Sequence, residues 1–442
     1  MTCKSLTFKI FVMVTAITFF GESFACAENE APIKKLSLDE CYQLALKQSE
    51  TLAIQYEDIE RTKADFLKAA SQALGGVDFV ISNTRQEVQK NSSSESGVSS
   101  TLTAASRRER KFAFNQPIFQ GFKSLAAFQG AGSLKGQRRE EWIRAKELLF
   151  LDVSNAYYSV LRSFRDVQII EEIHNLFDGR LRELKERENI GRSRPSESVM
   201  SISREKLLEA ELAEAKGNLK VFEYTLGFLI GSAVTAESLT DDDHDILGNV
   251  EQEVTYFINT ARRRADLLAQ EDAVKTSWRN VMIAQSDLWP KITMEGNHYE
   301  KREGFQSGID WDLLFKINIP IFQGGEVAGN IKAAMSDWKK AKLQKSRLSR
   351  EAELEVREAY ENWKVSVQKN KSLREALASA EENFRLQKDE YSHNLVNNLD
   401  VLDALESLND TKRNTNSVYY DMKSRFQALK VASGGFETGK VS

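Results

Sequence analysis

Apolar residues follow two different periods along this chain, and the shorter period marks β-strands. The clearest alternation covers the eleven positions 309–319, with apolar residues at the odd positions and mostly polar residues between them. This pattern predicts a strand with one apolar face, and a strand needs about 9–11 residues to cross a bilayer. The apolar positions of this predicted membrane-facing strand are Ile309, Trp311, Leu313, Phe315, Ile317 and Ile319.

Three other segments alternate in a similar way, so four strands are predicted. Their expected positions are about 76–84, 108–119, 291–301 and 309–320. Four aromatic residues in these strands suit either a protein core or a lipid-facing surface, and lipid is favoured because no other apolar segment would cover them. They are Phe112, Phe114, Trp311 and Phe315.

The longer period, in steps of three and four residues, predicts helices between the strands. Helices are expected over 38–74, 124–189, 196–229 and 325–391. The last of these would reach on the order of 100 Å at 1.5 Å per residue. Its apolar seam requires a partner helix, and the seam residues are Tyr360, Trp363, Val367, Asn370, Leu373, Leu377, Ala380 and Phe384.

A short sequence repeat indicates that the chain contains two copies of one structural unit. The sequence Pro-Ile-Phe-Gln-Gly at 117–121 recurs at 320–324, so the two copies are 320 − 117 = 203 positions apart. Each copy ends a predicted strand and precedes a long helix. We therefore predict a first structural repeat over 28–245, a second over 246–434 and a flexible tail over 435–442.

Composition supports long helices and gives no sign of nucleic-acid binding. The 442 residues include 23 glycines and 5 prolines, and the formal net charge is −4. Few helix breakers favour uninterrupted helices, and a small negative charge does not attract nucleic acid. The sequence contains no run of 18 apolar residues, so no transmembrane helix is expected.

The first 27 residues have the pattern of a secretory signal peptide. Lys4 and Lys9 precede a short apolar stretch over 10–20, and Ala25-Cys26-Ala27 resembles a cleavage site. Lipid attachment at Cys26 is the alternative. Either route exports the chain.

No group of residues predicts catalysis, a metal or a cofactor. The acidic segment 241–245 lacks the glycine and glutamate of a calcium-binding loop and is interpreted as a solvated linker. The histidines are not spaced as metal ligands, and they are His174, His244, His298 and His393. The chain is therefore not expected to be an enzyme.

Four strands from one chain cannot close a barrel, because about eight are needed and bilayers do not tolerate open sheet edges. Several chains would have to contribute, and three copies would supply twelve strands. The sequence alone thus predicts an exported, duplicated protein of long helices and short strands that oligomerises.

Four segments resemble the TolC family of outer-membrane efflux proteins. They are Pro320–Gly325, Ala261–Leu267, Pro290 and Tyr391–Ala404. The resemblance covers essentially the whole exported chain. It implies a mainly α fold with transmembrane β-strands, in which a homotrimer builds a twelve-stranded β-barrel and a periplasmic α-barrel of coiled-coil-like helices.

The same resemblance implies a passive exit duct in the outer membrane. It would serve a tripartite efflux pump or a type I secretion system. Expected partners are outer-membrane lipid, a periplasmic adaptor (membrane fusion) protein and an inner-membrane transporter of the RND, ABC or MFS type. The alternative from the residues is a periplasmic coiled-coil adaptor or scaffold protein.

The resemblance also implies a constriction at the periplasmic end. Its residues would be Glu197, Tyr391, Asp400 and Asp403. The alternative for the three acidic residues is a helix first turn, where carboxylates favour the positive end of the helix dipole, and Tyr391 could be a packed seam residue. Three positions depart from the family pattern: Val396 replaces a gate arginine, Asn394 replaces a glycine and Leu74 replaces a proline.

Overall fold

The computed structural model describes residues 35–85, 87, 106–241, 252–303 and 306–435. Within them, helices and strands follow the order α1, α2, β1, β2, α3, α4, α5, α6, β3, β4, α7, α8. The helices are α1 Leu38–Gln48, α2 Glu50–Leu74, α3 Lys123–Asn189, α4 Pro195–Ile230, α5 Val254–Ala261, α6 Ala265–Gln285, α7 Glu326–Ser392 and α8 Asn398–Ala432. The strands are β1 Gly76–Arg85, β2 Ser106–Gln120, β3 Lys291–Arg302 and β4 Trp311–Asn318.

Several predictions lie outside the described residues. These are the signal peptide with Cys26, most of the linker at 241–245, and the tail beyond residue 435. They stay predictions.

The first helical segment is two helices rather than the single one predicted over 38–74. Ser49 takes an extended backbone with ψ 106° and ends α1. Its hydroxyl accepts a hydrogen bond from the Leu52 amide at 3.3 Å, which caps α2. Serine is a favoured N-cap because it satisfies an amide that the first turn leaves unpaired. The prediction missed this break because neither proline nor glycine marks it.

The turn from α2 into β1 depends on Gly75. Its φ is +70°, and a Cβ added there would lie 2.3 Å from the Asn115 carbonyl oxygen. Glycine alone tolerates this conformation and this close approach. The glycine pair at 75–76 therefore separates helix from strand, as predicted.

The four strands form one antiparallel sheet in the order β1-β2-β3-β4. Facing pairs place Phe79 opposite Phe112, and Trp311 opposite His298. Because side chains alternate across a strand, one face of the sheet is largely apolar. Its members include Val77, Phe79, Ile81, Phe112, Phe114, Ile292, Met294, Trp311, Leu313, Phe315 and Ile317.

The fourth strand is shorter than the predicted 309–320. It begins at Trp311, whereas the Ile309 amide donates to the Gln306 carbonyl in the preceding turn. Ile309 was thus wrongly assigned to the strand. The apolar alternation continues beyond the ladder, so periodicity alone did not reveal its ends.

The helix pairs α3–α4 and α7–α8 form two long hairpins with matching dimensions. Helices α3 and α7 each contain 67 residues, and their first residues are 326 − 123 = 203 positions apart. Helices α4 and α8 begin 398 − 195 = 203 positions apart. The spacing of the short sequence repeat therefore recurs in the lengths and positions of the helices.

Apolar seams join these helices. One cluster joins α3, α4 and α8 through Ile173, Phe177, Leu208 and Leu405. A second joins α5, α7 and α8, with Trp363 only 1% exposed. The seam predicted along α7 supplies buried or half-buried residues to both clusters. None of the helices in the described ranges is long and apolar enough to cross a membrane.

Candidate gate and apolar sheet face

The turns α3–α4 and α7–α8 lie at the same end of the helices. Arg180 on α3 donates two hydrogen bonds, of 3.0 and 2.9 Å, to the side-chain oxygen of Asn398 at the start of α8. Asn398 in turn donates to the Ser201 hydroxyl on α4 at 3.3 Å. Three helices are therefore tied together beside the turns.

Tyr391 lies in a small buried cluster at the end of α7. It is 6% exposed and packs with Leu184 and Val401. The Arg180 guanidinium lies 3.6 Å from the ring centroid and the Arg187 guanidinium 4.5 Å from it. Cations over an aromatic face are attracted by its quadrupole. Tyr391 therefore holds the end of α7 against α3.

Asp400 completes the N-terminal cap of α8. Its carboxylate accepts from the Asn397 amide at 3.0 Å, and its own amide donates to the Asn397 side chain at 3.1 Å. This reciprocal pair is a capping box. Within one chain, Asp400 therefore has the first-turn role that the sequence left open as an alternative.

Glu197 has the corresponding place in the first turn of α4, since 400 − 197 = 203. Its carboxylate accepts from the Ser193 hydroxyl at 2.9 Å. It does not contact Asp400 or Asp403 through any hydrogen bond or ion pair within the described residues. The chain thus places the acidic residues at one end without joining them directly.

Asp403 faces α4 and is paired with an arginine. Arg204 lies 3.0 Å from Asp403 and 2.9 Å from Glu406, so it bridges two carboxylates of α8. Burial raises the pKa of Glu406 above its ordinary value, while Arg204 acts in the opposite direction. The Asp403 side chain remains 58% exposed.

At the opposite end, the sheet exposes its apolar face. Trp311 is 67% exposed, and Leu313, Phe315 and Ile317 are also exposed. The other face carries polar groups, where Asp312 accepts from Asn297 at 2.7 Å and from the Tyr299 hydroxyl at 2.8 Å. A contiguous apolar face of this kind marks a contact surface for a membrane or a partner.

Comparison with known proteins finds one matching family model and several distant relatives. Residues 259–435 match the family described as "Outer membrane efflux protein". "Outer membrane protein TolC" of Vibrio cholerae is 20% identical over 330 residues, covering 73% of this chain and 75% of that protein. These matches show an outer membrane efflux protein domain in the second half of the chain and similarity to TolC over most of its length.

Other relatives in this family match over shorter segments. "Nodulation protein T" of Rhizobium leguminosarum bv. viciae is 26% identical over 186 residues, covering 41% of this chain. The match spans 39% of the length of that relative, and 50% of the Nodulation protein T of R. leguminosarum bv. trifolii.

Solved structures of outer-membrane proteins share the fold. The outer membrane protein VceC from Vibrio cholerae has a TM-score of 0.77 at 19% identity, covering 90% of this chain and 96% of VceC. The outer-membrane channel OprN has a TM-score of 0.79 at 15% identity, covering 90% of each chain. The predicted fold of long helices with a small sheet is confirmed.

Two departures from the TolC-family pattern have a structural account. Asn394 has φ +57° and occupies the left-handed region, which asparagine tolerates better than most residues. Gly191 in the α3–α4 turn is the matching position, since 394 − 203 = 191, and its φ is +71°. Val396 packs beside the Tyr391 cluster.

Sequence patterns did not indicate the basic residues beside the α3–α4 and α7–α8 turns. Arg180, Arg187 and Arg204 lie on α3 and α4, whereas their partners Tyr391 and Asp403 lie on α7 and α8. Contacts between segments about 200 residues apart leave no local spacing to recognise.

Proposed function

We propose that this protein is an outer-membrane exit duct that conducts substrates passively for a tripartite efflux pump or a type I secretion system. The observation that carries the proposal is the uncovered apolar sheet face at one end of helices about 100 Å long. Exposed apolar area of this extent is unfavourable in water, and lipid would cover it. Relatives described as outer-membrane channels and efflux proteins support the proposal.

The duct would be a homotrimer. In the described chain, β1 and β4 are the two edges of the sheet. Unpaired edges are not tolerated in a bilayer, so edges of neighbouring chains would pair. Three chains of four strands give the twelve-stranded barrel, with the apolar faces toward lipid and the face of Asp312 toward the lumen.

Two partners would complete the pathway. A periplasmic adaptor protein would contact the turn end of the helices, and an inner-membrane transporter of the RND, ABC or MFS type would supply substrate. The duct itself needs no chemistry for this role, in line with the expectation that it is not an enzyme.

The turn end would form the closed gate. Asp400, Asp403, Glu197 and Tyr391 would surround the periplasmic constriction. The contacts of Arg204 with Asp403, and of Arg180 with Tyr391, support this by joining the second hairpin to the first. Opening the gate would require the ends of α7 and α8 to separate from α3 and α4.

The sheet provides the test of the proposal. We expect the protein to fractionate with outer membranes as a trimer that dissociates on heating. The double variant Trp311→Asn and Phe315→Asn should lose assembly, because charged or polar side chains on a lipid face are unfavourable. A matched control is Asp312→Asn with Lys316→Asn, on the other face, which should still assemble.

A periplasmic adaptor or scaffold is the competing function. It would tolerate both double variants, since its sheet would never meet lipid. Recovery of the wild-type protein as a soluble periplasmic monomer would contradict the duct.

A further inference from the structure

A histidine and two glutamates meet between α3 and α4, within the long hairpin. His174 Nε2 lies 4.0 Å from Glu205 Oε1 and 3.8 Å from Glu209 Oε1. One ligand atom from each of the three residues lies within 4.8 Å of the others. Because the glutamates are four residues apart, they project from the same side of α4, and this side faces His174.

Glu205 is the unusual member of this group. The residue is only 8% exposed, yet within the described parts of the chain its carboxylate accepts no hydrogen bond. Among those residues, the only basic group within ion-pair distance is His174, at 4.0 Å. A largely buried carboxylate whose one ionic partner is 4.0 Å away is unfavourable, and a bound cation would offset this.

We propose that His174, Glu205 and Glu209 bind a divalent transition-metal ion of the Zn²⁺ class, linking α3 to α4. The donor set is one imidazole nitrogen and two carboxylate oxygens. Zn²⁺ accepts both kinds of ligand, whereas Ca²⁺ and Mg²⁺ prefer oxygen alone. Three protein ligands leave a coordination position for water.

The observed spacing must contract to fit such an ion. Tetrahedral bonds of about 2.0–2.2 Å place ligand atoms about 3.4 Å apart, so the two histidine–glutamate distances would shorten by roughly half an ångström. The two glutamate oxygens lie within 4.8 Å of each other and would approach by up to about 1.4 Å. The Glu209 side chain is 43% exposed and can make most of this movement. Glu205 and His174 are less exposed and supply the fixed part of the site.

Lys206 is the local competitor for the ion. Its ammonium contacts Glu209 Oε1 and holds the pKa of that carboxyl below its ordinary value. The Lys206 side chain is itself largely exposed, so it can turn into solvent when an ion binds.

A proton on His174 is the alternative occupant. The imidazolium would pair with both glutamates, and no ion would be needed. The two alternatives differ in what the purified protein binds, so a binding measurement separates them.

Zn²⁺ titration of the full-length, tag-free and chelator-treated protein tests the proposal. We expect one Zn²⁺ per chain by calorimetry and by elemental analysis, with no competition from Ca²⁺. His174→Gln should weaken binding at least tenfold. The matched control is His393→Gln, whose imidazole is exposed beside the α7–α8 turn, and it should bind as the wild type does.

A second variant and a spectroscopic measurement protect the test against misfolding. Glu209→Gln alters an exposed side chain and should also weaken Zn²⁺ binding, while circular dichroism confirms helix content. Co²⁺ should give a visible absorption band in the wild type that His174→Gln removes. Absence of binding in the wild type, or equal binding in His174→Gln, would overturn the site. Neither result depends on conduction or membrane insertion.

Discussion

The two interhelical turns have the same backbone but different side-chain chemistry. Gly191 and Asn394 both have positive φ, and they are 203 positions apart. The α3–α4 turn leads into a helix without a side-chain cap, although Pro195 supports its first turn. The α7–α8 turn leads into the capping box of Asn397 and Asp400.

The difference extends to what surrounds each turn. Tyr391 is buried at the end of α7 and contacts two arginines, while its counterpart in α3 is Glu188, since 391 − 203 = 188. Glu188 accepts a hydrogen bond from Ser198 within the first hairpin. The α7–α8 turn is thus bound to the neighbouring helix α3, whereas the contact of Glu188 stays within the α3–α4 hairpin. Duplication preserves the backbone path of both turns, and the side chains determine which turn is fixed to a neighbouring helix.

The largest expected difference between the turns comes from Tyr391. Removing a buried aromatic side chain costs about 3–5 kcal/mol, so Tyr391→Ala should release the end of α7. Hydrogen exchange measured over 385–405 should become much faster. The matched variant Glu188→Ala, in the first turn, should change exchange far less. Equal effects at the two positions would contradict the comparison.

A smaller difference is expected at the helix starts. Asn397→Ala removes an N-cap and should cost about 1 kcal/mol, seen as faster exchange in the first turn of α8. Arg194→Ala at the equivalent position of α4 should have almost no effect, because Arg194 makes no side-chain cap. A similar loss in both helices would show that the cap does not distinguish them.

The smallest expected change in stability concerns Asp403. Exposed ion pairs contribute about 0.2–1 kcal/mol, so Asp403→Asn should weaken the link to Arg204 only slightly. If Asp403 faces the pore in the trimer, the same change should weaken divalent-cation block in planar bilayers. Met200→Asn, at the equivalent position of α4, should leave the block unaltered. Unchanged divalent-cation block in Asp403→Asn would show that this residue does not face the pore.

Periodicity predicted the strands and long helices well, because each is a local pattern. Eight of the eleven alternating positions around Trp311 form β4, and the seam around Trp363 is buried. The break at Ser49 escaped prediction because a serine cap resembles any exposed serine. The start of β4 at Trp311 was not predicted, because hydrogen bonding to β3, and not the apolar pattern, decides where the strand begins.

The site was harder to predict than the fold. Asp400 and Glu197 were named from the family resemblance, and the cap of Asp400 agrees with the first-turn alternative. Arg180, Arg204 and the His174 cluster depend on which helices become neighbours. Their partners are distant in sequence or lie on another helix, so no spacing rule points to them.

The equal lengths of α3 and α7 place a constraint on how this molecule can change. Each residue adds about 1.5 Å to a helix, so removing one heptad from a single copy would shift its turn by about 10 Å relative to the other. The stack of Tyr391 on Arg180 and Arg187 could not survive such an offset. Any lengthening or shortening of the protein must therefore occur in both halves together, so α3 and α7 can change length only by matching insertions or deletions.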